Sequence, residues 1–119
     1  MTAKLQNLIK LSSNIKLLVP STTDVDLPVD DQEFNSEVDK ALTFLGQLFG
    51  GSTASDALGS WLSESSGLVK EKVKVVESYS TSDGLSEHIE SVVDYAVDMK
   101  KRLNQESVGL IVNNELYLV

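Results

Sequence analysis

The chain has no cysteine, so none of its 119 residues can enter a disulfide or a thiolate metal site. That fits a reducing, cytoplasmic setting. Proline is nearly absent too, with Pro20 and Pro28 confined to one loop. No run approaches the ~20 apolar residues that a membrane span needs. The first twelve residues, MTAKLQNLIKLS, lack the continuous apolar stretch and small-residue cleavage site of a signal peptide. Basic residues are scarce: 10 Lys and Arg stand against 18 Asp and Glu, a formal net charge of −8. That balance argues against direct binding of nucleic-acid phosphates, which draws its affinity from basic patches, and it favours solubility.

A chain of this length builds one domain with one core. Residues 1–12 read as an N-terminal arm or short helix, from Leu5, Leu8 and Ile9 at helical spacing, and residues 13–119 as the domain. The stretch around which it is organised runs from Gly50 to Tyr79. Within it, Thr53–Leu62 reads as a strand carrying Trp61, Ser65-Ser66-Gly67 as a hairpin turn, and Val69–Tyr79 as a second strand. Alternation assigns Lys70, Lys72 and Lys74 to a solvent face of that second strand. Val69, Val73 and Val75 then face a core, and Glu71 falls among them.

Upstream, Ser13–Val19 reads as a strand with Ile15, Leu17 and Val19 on one face and Leu18 on the other, so it is expected at the centre of a sheet. Pro20 ends it. Asp30 or Asp31 caps a helix whose stripe is Phe34, Val38, Ala41, Leu42, Leu45, Leu48 and Phe49, stopped by Gly50-Gly51. A second helix starts at Thr81–Gly84 and carries Leu85, Ile89, Val92, Val93, Ala96, Met99 and Leu103. Lys100, Lys101 and Arg102 stand at its negative end. Val108–Val112 is a strand, Asn113-Asn114 a turn, and Glu115–Val119 an edge strand.

The order predicts an α+β fold: a ferredoxin-like β-α-β-β-α-β arrangement with two helices on one face of a four-stranded antiparallel sheet, plus a short C-terminal strand. Right-handed crossovers place the strands at Ser13 and Leu68 side by side in the middle.

The residues Gly51-Ser-Thr, Gly59-Ser-Trp61, Gly67-Leu-Val-Lys-Glu71 and Asn104-Gln105-Glu106-Ser107-Val108 give residues 45–112 a resemblance to a family of small bacterial proteins of unassigned function. That family has the same order of strands and helices. The resemblance implies that Trp61, Glu71 and Gln105 sit close together, and it implies no reaction.

Several patterns invite chemistry. The acids Asp24, Asp26, Asp30 and Asp31 do not make a calcium loop, because Val29 and Asn35 stand where glycine and glutamate are required. No metal or cofactor is expected. His88, the only histidine, falls off its helix's apolar stripe and reads as a solvated side chain. Ser21, Thr22 and Thr23 at a strand end could receive a phosphate or carboxylate, although no glycine-rich phosphate loop accompanies them. A core-facing Glu71 must find donors or shift its pKa. Trp61 and Gln105 are its expected neighbours, either in a purely structural bond or in a ligand site that includes Ser21 and Thr22.

The leading expectation for function is a non-enzymatic binding or regulatory module that self-associates through its open sheet face, exposing Leu18 and Val76, and binds a small ligand or protein partner. Two alternatives stand beside it. One is a small enzyme using Glu71 as acid or base. The other is an acidic, phage-type inhibitor of a nucleic-acid-handling enzyme.

Overall fold

The computed structural model describes residues 2–24 and 27–119. The chain runs α1 (Ala3–Gln6), β1 (Ser13–Pro20), β2 (Thr22–Thr23), β3 (Leu27–Pro28), α2 (Asp31–Phe49), β4 (Thr53–Ser63), β5 (Gly67–Ser80), α3 (Ser82–Arg102), β6 (Gly109–Val112) and β7 (Glu115–Leu118). The fold is α+β. Five strands form one antiparallel sheet in the order β4-β5-β1-β6-β7, and β2 pairs with β3 as a separate two-residue ladder. The two strands expected in the middle are paired, with Leu17 opposite Val76 and Ile15 opposite Ser78.

Local chemistry sets the element ends. The Asp30 carboxylate accepts from the Glu33 amide at 2.7 Å, so it satisfies one of the orphan donors at the start of α2. Gly50, at φ 91°, closes that helix in the left-handed conformation and donates its N–H to the Gly46 carbonyl. Thr81 caps α3 through the Gly84 amide at 3.0 Å. Asn113 and Asn114, at φ 50° and 68°, turn β6 into β7 as their tolerance of positive φ permits.

The core lies between the sheet and the two long helices. Ile15, Leu17 and Val19 of β1, Val76 of β5 and Leu110 of β6 meet Val38, Ala41 and Leu45 of α2 and Val92, Ala96 and Met99 of α3. Each large side chain buried in this way contributes roughly 1.5–3 kcal/mol. The helices are joined by a stack of Phe44 on Tyr95, with ring centroids 4.4 Å apart. They are also joined by the bidentate pair of Arg102 with Glu37, at 3.0 and 2.8 Å. Glu37 is only 4% exposed, and the Arg102 guanidinium holds its carboxyl below the usual range against the opposing effect of burial.

The parity expected of β5 is inverted. Val76 and Ser78 are the residues turned into the core, so Lys70, Lys72 and Lys74 share their side of the strand. Glu71, Val73 and Val75 lie on the opposite face, the one that carries no helix. Val76, expected on the open face beside Leu18, is fully buried, and Leu18 is half-buried. The reason is the length of the strand. At 14 residues β5 outruns the helix layer, and its lysine-bearing half reaches past the core with β4 as a long hairpin. That hairpin contributes to an elongated molecule of 53 × 24 × 24 Å, and Leu58, Leu62 and Leu68 stand exposed on it.

Candidate ligand-binding cleft

The open face of the sheet curls into a cleft of about 740 Å³ where the β4–β5 hairpin, the end of β1, the loop after α3 and the β6–β7 ladder converge. Cross-strand register explains the assembly. Trp61 lies opposite Val69 and Gly59 opposite Glu71, so all four side-chain positions share the open face. Gly59 leaves the cleft floor without a side chain opposite the Glu71 backbone. Gly109 lets the Leu18 side chain pack directly on the β6 backbone, since a Cβ there would come within 2.7 Å of Leu18 Cδ1. Leu18, Val73, Val108, Leu116 and Leu118 supply apolar wall.

The polar groups converge at one end. Thr22 Oγ1 donates to Glu71 Oε2 at 2.8 Å. Gln105 Nε2 donates to the Thr22 carbonyl at 2.8 Å and to the Leu103 carbonyl at 3.2 Å. The short β2 segment is thereby fastened between β5 and the end of α3. Thr23 Oγ1 and the Asp24 amide add bonds to the Leu103 carbonyl, both at 3.0 Å. The next residue, Glu106, accepts from Ser63 Oγ at 2.6 Å, from Ser65 Oγ at 3.1 Å and from the Glu64 amide. The Ser63 hydroxyl, with lesser help from the Ser65 hydroxyl and the neighbouring amides, holds the Glu106 carboxyl below the ordinary glutamate range.

Charge in the cleft is one-sided. Glu64, Glu71 and Glu106 line it, and among the described residues no Lys, Arg or His does. A volume in the usual range for small-molecule sites, an aromatic ring, apolar walls and several carboxylates suit an organic cation with a flat apolar body.

Two solved structures share this architecture. The chain is similar to a phage SAM lyase in complex with S-methyl-5'-thioadenosine, at 14% identity and a TM-score of 0.67, over 95% of this chain and 92% of that one. It is also similar to a phage SAM lyase in the apo state, at 8% identity and a TM-score of 0.59, over 94% of each. Both likenesses are of fold. No sequence-family profile and no curated protein matches the chain.

The comparison corrects the leading expectation. The non-enzymatic part of it is overturned, because the two solved structures that share the fold are both lyases. Trp61, Glu71 and Gln105 do line one cleft, together with Glu106, which the sequence reading quoted but did not single out. Neither Trp61 nor Gln105 bonds the carboxylate of Glu71; its donor is Thr22. Thr22 therefore faces Glu71, and its hydroxyl is already given to a protein carboxylate. Ser21 lies outside the cleft, on a separate depression that Thr22, Glu71, Lys70 and Lys72 also line, so Glu71 borders both. His88 is remote from it, packed edge-on to Phe49 at 5.7 Å. Of the acids weighed as a metal loop, Asp26 lies outside the described residues, while Asp24 accepts from Asn104 Nδ2 and Asp30 caps α2. Among the described residues no helix is long and apolar enough to cross a membrane.

Proposed function

We propose that the chain is a small enzyme that binds S-adenosylmethionine in this cleft and splits it to S-methyl-5'-thioadenosine. The observation that carries the reading is the cleft's composition: Trp61 and an apolar wall beside Glu64, Glu71 and Glu106, with no basic side chain in its lining among the described residues. The shared architecture with two phage SAM lyases supports it. A net charge of −8 adds a long-range attraction for a cationic substrate.

The chemistry has a definite bond count. S-methyl-5'-thioadenosine retains the methyl and the 5' carbon on sulfur, so the bond that breaks is the one from sulfur to Cγ of the amino-acid chain. The sulfur leaves with that electron pair as a neutral thioether, and no water is consumed. The four-carbon fragment replaces the pair in one of two ways. Its own carboxylate oxygen attacks Cγ and closes a lactone, or Cβ–H gives up its proton to a base as an alkene forms. Glu71 is the carboxylate placed to hold the cation in the first case and to take the proton in the second. Apolar walls that exclude water favour leaving as a neutral thioether, because the sulfonium loses charge in the transition state.

We read β1, α2, β4, β5, α3 and β6 as the ferredoxin-like split βαβ arrangement, with β7 as an added edge strand. We also propose that the chain works as a homo-oligomer: Leu58, Leu62 and Leu68 stand 84%, 78% and 62% exposed on one face of the hairpin, an apolar liability in a monomer. Light scattering that gives the mass of one chain at micromolar concentration would refute that part.

Calorimetric titration tests the ligand. S-adenosylmethionine should bind at least tenfold tighter than S-adenosylhomocysteine, which has the same body without the sulfonium charge, and the difference should shrink with salt. Equal affinity for the two would remove the electrostatic basis of the reading.

A further inference from the structure

We infer that Thr22 is a positioning residue: seated between Gln105 and Glu71, it fixes the Glu71 carboxylate in one orientation toward the cleft. The inference deepens the reading of the cleft as a cation site and rests on it for its functional consequence.

Three observations carry it. First, Thr22 is 6% exposed and Gln105 7%, so the pair is built into the fold and sits away from bulk solvent. Second, the bonds run in series: Gln105 Nε2 to the Thr22 carbonyl at 2.8 Å, then Thr22 Oγ1 to Glu71 Oε2 at 2.8 Å. The hydroxyl occupies one carboxylate oxygen, and among the described residues no donor reaches the other, Oε1. Third, the anchor is itself fastened. Gln105 Nε2 also reaches the Leu103 carbonyl, Asn104 bonds Asp24, and the Arg102–Glu37 pair locks the last turn of α3 immediately before them.

A glutamate on the open face of a sheet has three side-chain torsions and, unaided, populates several rotamers. Holding it in one of them costs conformational freedom that the fold supplies before any ligand arrives, and displacement of a reacting group by about 1 Å can cost on the order of 100-fold in rate. A hydroxyl is well suited to the task. It donates to the ionised carboxylate without introducing a positive charge that would compete with a cationic ligand. A lysine at the same place would hold Glu71 as firmly and neutralise it.

The test compares the full chain with Thr22→Val, which keeps the shape and removes the donor, and with Thr22→Ser, which keeps the donor. The first measurement is independent of any activity: the χ1 coupling constants of Glu71 by NMR. Single-rotamer values in the native chain and Thr22→Ser, with averaged values in Thr22→Val, support the inference. Single-rotamer values in Thr22→Val overturn it, whatever the protein does to S-adenosylmethionine.

The second measurement is turnover of S-adenosylmethionine together with binding of S-methyl-5'-thioadenosine. Thr22→Val should lose roughly 10- to 100-fold in kcat, with the neutral thioadenosine bound as before, and Thr22→Ser should stay within about threefold of native. Equal loss of both properties in Thr22→Val would make Thr22 a structural residue and overturn the inference. A native chain that neither binds nor cleaves S-adenosylmethionine would overturn the lyase reading, and the coupling constants would still decide the orientation of Glu71.

Discussion

Replacing Arg102 with Met probes the joint between the two long helices, and its cost follows from the geometry. Arg102 gives Glu37 two parallel bonds at 3.0 and 2.8 Å, while the Glu37 side chain is 6% exposed and that of Arg102 39%. Removing one partner of a fully buried pair costs about 3–5 kcal/mol, because the other charge is left desolvated and unpaired. Here the arginine is more than a third in solvent, and Lys40 at 3.6 Å remains near the carboxylate, so we expect about 2–3 kcal/mol. For a chain of this length that is a fall of about 8–12 °C in Tm at fixed protein concentration. The pH dependence has a definite sign. The folded-state carboxyl of Glu37 is depressed below 4.5, so its stabilisation is fully present above that value and is lost as pH falls through the folded value. The gap between native and Arg102→Met is therefore widest near neutrality and narrows once pH drops below about 4.5. Adding Glu37→Leu to Arg102→Met should recover most of the loss, since an apolar pair leaves no stranded charge. Calorimetry or circular dichroism melts read all of this. A shift under about 2 °C at neutral pH, or a gap that persists undiminished in acid, would refute the reasoning.

Glu71→Gln keeps the volume and removes the charge; S-adenosylmethionine affinity should fall by at least tenfold while Tm holds or rises, as calorimetric titration and melting curves will show. Glu106→Gln withdraws the charged acceptor from Ser63, Ser65 and the Glu64 amide, so hydrogen exchange at Glu64 should accelerate. In the native chain the same release should appear only as pH falls below the ordinary glutamate range, because the folded carboxyl is depressed. Trp61 is the single tryptophan, so its fluorescence should change on addition of S-methyl-5'-thioadenosine, and an unaltered spectrum at saturating ligand would remove it from the site.

Much of the scaffold was legible because its signals are local. The stripes of α2 and α3 repeat every three or four residues, and Asp30, Thr81 and Gly50 act within one turn of the ends they cap. Alternation also marked β1 as central. The same alternation misassigned the faces of β5, for a physical reason: three valines among lysines look like a core face, yet the core here claims Val76 and Ser78, and Val73 lines an open cleft on the other side. The cleft itself was legible only as a trio of neighbours, Trp61, Glu71 and Gln105, that the family resemblance implied. Its polar geometry depends on bonds between residues 49 and 83 positions apart, Thr22 to Glu71 and Gln105 to Thr22, which no local pattern encodes. Glu106 had one available signal, an acid directly after Gln105 and ahead of a strand.

The account's central claim is that this cleft cleaves a sulfonium. Purified protein incubated with S-adenosylmethionine, followed by chromatography and mass spectrometry of the products, tests it most directly. The account predicts time-dependent release of S-methyl-5'-thioadenosine with an equimolar four-carbon lactone or alkene, abolished in Glu71→Ala. Release at the rate of the buffer control, or a rate untouched by Glu71→Ala, would contradict it.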